Sequence, residues 1–423
     1  ISGYIKKLDQ FKWAKYVDIV SWDNYPRPEH RMSTVALKHD LMRGLKDGQS
    51  YILAEQTPSK QNWQPYNILK RPGMVRLLSY QALAHGADTV MFFQLRASVA
   101  GVEKFHGAVI SHAGHEHTRV FQECAKLGNE LKNLEDRILD SKYRSQVAIM
   151  FDWDNWWAVE LSSGPSRDLQ YFEQVEKYYH ALYEQNIAVD IVRPDADLSK
   201  YDLVIAPLLY MTKSGVAKNI ETFVENGGTF LTSFLSGIVD ENDHVILGGY
   251  PGELKRVLGI WVEEFDALLP GMKNTMEIIQ PTKDLEGQYE CGLICDVVHL
   301  KGAEALAVYG ENFYAGKPCF TRNRYGKGKA YYVASDAEEQ FIKDFIKKIC
   351  DEKDICAPID APEGVEITQR FKEDKAFTFI LNHNDFSISI DLGQKKYENL
   401  ITGKEKSGKV NIAAKGVFIL EEL

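Results

Sequence analysis

Residues 51–65 read YILAEQTPSKQNWQP. Four residues suited to a buried strand run directly into Glu55, and a turn and Trp63 follow. A carboxylate at the end of a buried strand is costly unless it is solvated or paired. A barrel of alternating strands and helices gives one natural reason to place it there, because the catalytic groups of such barrels stand at the carboxyl ends of the strands. In the plainer alternative Glu55 caps its loop or pairs with Arg96.

Outward from this stretch, residues 1–143 alternate short apolar strands with amphipathic helices, the pattern of parallel βα units. YVDIVSW at 16–22 reads as a strand, and STVALKHDLMRGLKDG at 33–48 as a helix that stops at Gly48. PGMVRLLSYQALAHGAD at 72–88 repeats the device, with Pro72 to open the helix and Gly86 to close it. TVMFFQL at 89–95 reads as the third strand. The polar clusters SWDNYP, EQTPSKQNW and QLRASVAGVEKFH each follow one of these strands and so share the face on which a (β/α)8 barrel does its chemistry. Three parallel strands do not close a barrel, and a complete one takes about 250 residues. The expectation is therefore the carboxyl-terminal part of a TIM barrel, with five βα units outside these residues.

A second α/β segment occupies residues 144–358. QVAIMFD, AVDIV, DLVIAPLL and TFLTSF read as strands, and SRDLQYFEQVEKYYHALYEQN and SGVAKNIETFVENGG as helices, which predicts a doubly wound sheet. No Cys follows a strand there in a nucleophile elbow, so the outline is that of an amidotransferase-like domain without its catalysis. GKGKAYY at 326–332 lacks the spacing of a phosphate loop and reads as a hairpin turn. Residues 359–423 change to short alternating strands with Gly and Asn-Asp turns, which predicts a small antiparallel β-sandwich.

The formal net charge of −10, with Lys and Arg scattered along the chain, argues against attraction to nucleic acid or to an anionic membrane surface. A neutral substrate fits better. No apolar run approaches the roughly 20 residues of a membrane span. The six cysteines are too sparse for a disulfide scaffold and read as reduced thiols, and the one close pair, in CGLIC at 291–295, has no second pair or nearby His to complete a metal site. Neither metal nor cofactor is expected. The aromatics around Glu55, namely Trp22, Tyr25, Trp63, Phe92 and Phe93, are of the kind that line sugar subsites, where an apolar face meets C–H groups and polar neighbours take hydroxyls. In GVEKFHGAVISHAGHEHTR at 101–119, Glu103 and His106 suit a loop that binds a polar ligand, and His112, His115 and His117 suit a solvated loop.

The runs VDIVSWDNYP, AEQTPSKQNWQP and RPGMVRLLSYQALAHGADTVMFFQLRASVAGVEKFHGAVISHAG resemble the last third of the catalytic barrel of glycoside hydrolase family 42 β-galactosidases. The resemblance continues in order through a trimerisation domain to a β-sandwich ending like NLITGKEKSGKVNIAAKGVFILEEL. It implies a retaining mechanism with two glutamates, the nucleophile falling on Glu55 and the galactose-site positions on Tyr25, Trp63, Phe93, Glu103 and His106. The acid/base glutamate of the family follows an Asn at the end of the fourth barrel strand, and the zinc-holding cysteine cluster lies in the same missing region. The single Asn-Glu pair here, Asn129-Glu130, falls on a helix after the last strand and is not its equivalent. The resemblance implies a β-galactoside substrate and a homotrimer. The reduced-looking cysteines and the first residues, which carry no hydrophobic signal core, give the expectation of a cytoplasmic protein, and without the acid/base glutamate these residues alone are expected to be inactive. The competing expectation is a non-catalytic sugar-binding or assembly subunit with a degenerate barrel.

Overall fold

The computed structural model describes residues 5–27 and 29–423. They form two compact units: Gln10–Arg144 with Ala357–Leu423, and Lys6–Asp9 with Ser145–Cys356.

In the first unit the strands Ser21–Asp23, Tyr51–Glu55 and Ala87–Val90 pair in parallel, in that spatial order. The helices Met32–Gly44 and Met74–Ala84 cross between them. Both strands flanking Tyr51–Glu55 are shorter than their apolar runs suggest: Tyr16, Ile19, Met91 and Leu95, apolar residues of those runs, lie off the strands and are exposed. Beyond Val90 the chain keeps two hydrogen bonds to its neighbour, Met91 N to Leu53 O at 2.9 Å and Phe93 N to Gln56 O at 3.0 Å, without forming a continuous strand. Phe92 turns instead into the core cluster shared with the carboxyl-terminal sheet.

The residues after Ala357 build two sheets. The larger has six strands in the order Lys404–Lys406, Tyr397–Asn399, Val417–Glu422, Lys375–Asn382, Val365–Lys372 and Lys142–Tyr143, the last donated by the segment before Arg144. The smaller is the ribbon of Ile388–Asp391 and Lys409–Ile412. Alternating residues divide the large sheet between two cores, as the two-residue period of a strand requires. Phe377, Phe379, Leu381, Val417 and Ile419 face the helices Met74–Ala84 and Arg119–Ile138, meeting Leu77, Tyr80, Leu127 and Leu134. Ile367, Ile380 and Leu420 face the ribbon, meeting Ile388, Ile390 and Ile412. The sandwich expected from the sequence thus has a third layer of helix.

A buried ionic chain runs between these parts. Asp40 takes hydrogen bonds from Arg43 and from His85 Nδ1 at 2.7 Å, and His85 Nε2 meets Glu366 at 2.5 Å. Glu366 also accepts from Gln81 at 2.9 Å and pairs with His383 at 2.7 Å. Arg370, fully buried, donates to the carbonyls of Leu83, Ala87 and Ser141 and to Asp88.

The second unit is built on one sheet of eleven strands. Its parallel half has the order Val189–Val192, Val147–Met150, Leu203–Ala206, Thr229–Ser233, Gly328–Val333, the flavodoxin-like doubly wound order. The hairpin Pro318–Tyr325 to Gly328–Val333 turns the sheet antiparallel, and Glu304–Tyr309, Asn274–Ile278 and Gln288–Leu300 extend it, with Ile260–Ala267 and Ser335–Ala337 both pairing the last of these. Of this antiparallel half the sequence reading contains only the hairpin turn at 326–332; the remaining antiparallel strands are absent from it, as is the short helix Trp153–Glu160. Residues 153–157 (WDNWW) are poor helix formers, and what starts the helix is local: Asp152 accepts from Asp154 N at 3.2 Å.

Candidate active site

Parallel pairing brings Asp23 opposite Glu55, and Asn24 N continues the ladder to Glu55 O at 2.8 Å. The chain leaving the first strand therefore passes over the end of the second. Two residues past the strand, Tyr25 Oη donates to Glu55 Oε2 at 2.7 Å. The pairing of Glu55 with Arg96 does not form: among the described residues Arg96 makes no ion pair with it, and the carboxylate accepts from the phenol instead.

Aromatic contacts build outward from Tyr25. Its ring meets Trp63 edge to face at 4.6 Å, and Trp63 stacks on His106 at 4.9 Å with 17° between the planes. His106 in turn meets Phe93 edge to face at 5.3 Å. The imidazole is held at both nitrogens, Nε2 facing Phe93 O at 3.2 Å and Nδ1 facing Asn62 Oδ1 at 3.0 Å, while Asn62 Nδ2 donates to Val102 O at 2.7 Å. Two loops must touch for this, and Gly107 permits it. Its N donates to Lys60 O at 2.9 Å, and a Cβ there would lie 2.8 Å from Ser59 Cβ. Glu103 sits in the turn Val102–Phe105, its carbonyl accepting His106 N at 2.9 Å, and its charge acts on both Tyr25 and His106.

The electrostatics keep these groups in fixed roles. Burial, with the hydrogen bond and charge of Glu55, raises the Tyr25 pKa far above its ordinary value, so the phenol remains a donor. Burial, and then the charge of Glu55, raises the pKa of Asp23. Burial lowers that of His106. Trp63 is half exposed, so part of the indole surface stays open beside the tyrosine that holds the carboxylate. A carboxylate oriented by a phenol beside such a plate can attack an electrophilic carbon of a saccharide whose C–H face rests on the indole.

Tyr25, Glu55, Trp63, Phe93, Glu103 and His106, named from the sequence, thus come together at the ends of three strands, Glu55 as the last residue of the middle strand and the others on the segments that follow each strand. Trp22 and Phe92 do not join them: Trp22 is buried edge-on against His39 at 4.9 Å, and Phe92 belongs to the core. His112 bonds Ser98 O at 2.8 Å, and His115 and His117 lie exposed near each other. Glu130 accepts from Arg76 at 2.7 Å and Tyr80 at 3.0 Å on the helix Arg119–Ile138, a structural pairing. Cys291 and Cys295 are buried free thiols in a strand. Among the described residues no three His, Cys, Asp or Glu side chains converge as a metal site. Sequence reasoning missed Asn62, whose only signal is its place beside Trp63.

Family models match the chain along its length: one described as a β-galactosidase over residues 1–134, one as a β-galactosidase trimerisation domain over 145–356, and one as a β-galactosidase C-terminal domain over 364–422. Among curated proteins, β-galactosidase BgaP of Planococcus sp. (strain L4) is 54% identical over 423 residues, covering 100% of this chain and 63% of that protein. Among solved structures, the β-galactosidase of Bacillus circulans sp. alkalophilus superposes with a TM-score of 0.98 at 55% identity, covering 100% of this chain and 62% of that one. That of Rahnella sp. R3 gives 0.94 at 42% identity, with 100% and 63% covered. The chain spans a little over three fifths of the length of these relatives. With three models of one family matched in order, the chain belongs to the family 42 β-galactosidases of the glycoside hydrolases.

Proposed function

We propose that this chain is the carboxyl-terminal part of a retaining glycoside hydrolase acting on terminal β-D-galactosides, with Glu55 as its nucleophile. The observation that carries the reading is the carboxylate of Glu55 at a strand end, held by Tyr25 Oη at 2.7 Å beside the half-exposed face of Trp63. Glu55 attacks the anomeric carbon as the bond to the leaving oxygen breaks, and that oxygen takes its proton from a second glutamate supplied from outside these residues. Water then cleaves the glycosyl ester, returning the carboxylate and releasing galactose. The second carboxyl must stand about 5–5.5 Å from Glu55. The five further βα units bring it there. Tyr25, Trp63, Phe93, Glu103 and His106 line the galactose site, Tyr25 also holding the nucleophile in aim. Residues 1–143 serve as the barrel part, 144–358 assemble a homotrimer, and 359–423 form the sandwich. The six free cysteines support a cytoplasmic protein. These residues alone leave a galactoside intact, since losing general acid assistance costs a factor of about 10² to 10⁴ and an open barrel lacks the rest of the pocket.

The test is covalent trapping of the intact enzyme with an activated 2-deoxy-2-fluorogalactoside, followed by peptide mass analysis. The added mass of one fluorogalactosyl group is expected on the peptide containing Glu55, and Glu55→Gln is expected to abolish it while lowering kcat by on the order of 10⁴. A label on another carboxylate overturns the assignment. Turnover of an activated galactoside by residues 1–423 alone would overturn the need for an external acid.

A further inference from the structure

The loop that carries Asn62 and Trp63 has a second side. There it helps enclose a cavity of about 410 Å³, bounded by Pro26, Arg27, Tyr66, residues 68–71, the start of the helix Met74–Ala84, and Asp385 and Lys415 from the carboxyl-terminal segment. The volume is that of a small-ligand site. Four cations, Arg27, Lys70, Arg71 and Lys415, line it against the single carboxylate of Asp385, in a chain whose formal net charge is −10. Asp385 is itself paired with Lys415 at 3.0 Å and mostly exposed, and Arg27 has the Glu29 carboxylate 3.9 Å away, so among the described residues Lys70 and Arg71 are the cations of this lining left without an ion pair.

Lys70 marks what is missing. Its ammonium group has three donors, yet the acceptor it reaches among the described residues is Ser59 O at 3.5 Å, the outer limit of a hydrogen bond. Burial draws its pKa down to about 7, the behaviour of a cation with water removed and no counter-charge supplied. Ser59, Gln61 and Gln64 add neutral polar groups to the lining, and one stretch of it is apolar: Tyr66, Ile68 and Leu69 expose half or more of their surface beside Met74. Cationic donors above an apolar shelf suit an anion attached to a ring with C–H faces. A bare inorganic ion would use only the donors.

We propose that this cavity binds an acidic saccharide, its carboxylate on Lys70 and Arg71 and its ring on Tyr66, Ile68 and Leu69. The position relates it to the site around Glu55 without merging the two. Pro26 follows Tyr25, and Gln61 precedes Asn62; Gln61 Nε2 donates to Pro26 O at 3.0 Å and its Oε1 accepts from Gln64 at 3.0 Å, closing the wall between the two spaces. The acidic sugar thus lies beside the reacting galactoside, walled by the same two segments.

The test is calorimetric titration of the purified protein with galacturonate in the presence of saturating galactose, with inorganic phosphate titrated in parallel. Saturable galacturonate binding is expected, at least tenfold tighter than phosphate. Lys70→Met and Arg71→Met are each expected to weaken it at least tenfold, and Lys70→Arg to retain it, with thermal midpoints confirming that each variant folds. No binding, binding displaced by galactose, equal binding of phosphate, or indifference to both Met substitutions overturns the proposal. Because hydrolysis is not the readout, the outcome is independent of the role of Glu55.

Discussion

The contact between Tyr25 and Glu55 joins the end of one strand to the end of the next. A hydrogen bond to an ionised group is worth about 1.5–3 kcal/mol, and here it also fixes which way the carboxylate points. Tyr25→Phe keeps the ring against Trp63 and removes only the donor, so a loss of roughly tenfold or more in kcat/KM is expected in the intact enzyme. Steady-state rates on an aryl galactoside measure it, and an unchanged kcat/KM would remove Tyr25 from the machinery. Glu55 is legible as a carboxylate after a buried run because that pattern is local. Asn62 is not, because its role is to hold the imidazole of a residue 44 positions away.

Among the elements, the strand Lys375–Asn382 shows how a two-residue period is used twice. Phe377, Phe379 and Leu381 enter the core with the helices, and Ile380 enters the core with the ribbon. Phe379 is fully buried. Phe379→Ala is therefore expected to destabilise the unit by about 3–5 kcal/mol, read from denaturant midpoints. A cost below about 1 kcal/mol would mean that the helical layer collapses onto the gap. Alternation in FTFILNHNDFSISIDLG identifies the strand from sequence, yet nothing local says that its second face meets a helix some 240 residues earlier. In the other unit the reverse happens: Ile260–Ala267 and Gln288–Leu300 pair securely, but the bulges in their register break the alternation that would announce them.

At the scale of the whole molecule, the chain from Arg43 through Asp40, His85 and Glu366 to His383 is the most consequential charge arrangement in the first unit. Burial alone lowers the pKa of His85, but the two carboxylates outweigh it and bring it to about 9. His39, stacked 6.2 Å away, goes the other way: burial, with the charge of His85, lowers it to about 3, and as a neutral ring it bonds Tyr51 Oη at 2.7 Å. The sign for stability follows from the raised pKa of His85. Its folded form holds a proton that the unfolded chain releases near pH 6.5, so the contribution is full below that pH and lost as pH rises toward 9. The size is about 3 kcal/mol by linkage. Thermal midpoints of the wild type are expected to fall between pH 6.5 and 9 more steeply than those of His85→Gln, and parallel curves would show the imidazole to be neutral in the fold.

Periodicity and turn chemistry within residues 1–143 determine the parallel βα pattern and put polar clusters at strand ends, because both depend on neighbours in sequence. The same holds for the parallel strands after Gln146 and for the strands after Pro362. Only the tertiary structure decides that Trp22 is core while Trp63 is surface, that Phe93 reaches the site while Phe92 leaves it, and that Glu366 answers His85. An aromatic or a charge is the same letter in either place. Its role is set by which distant backbone arrives beside it, and that is a matter of packing and burial energy summed over the whole unit, not of spacing along the chain.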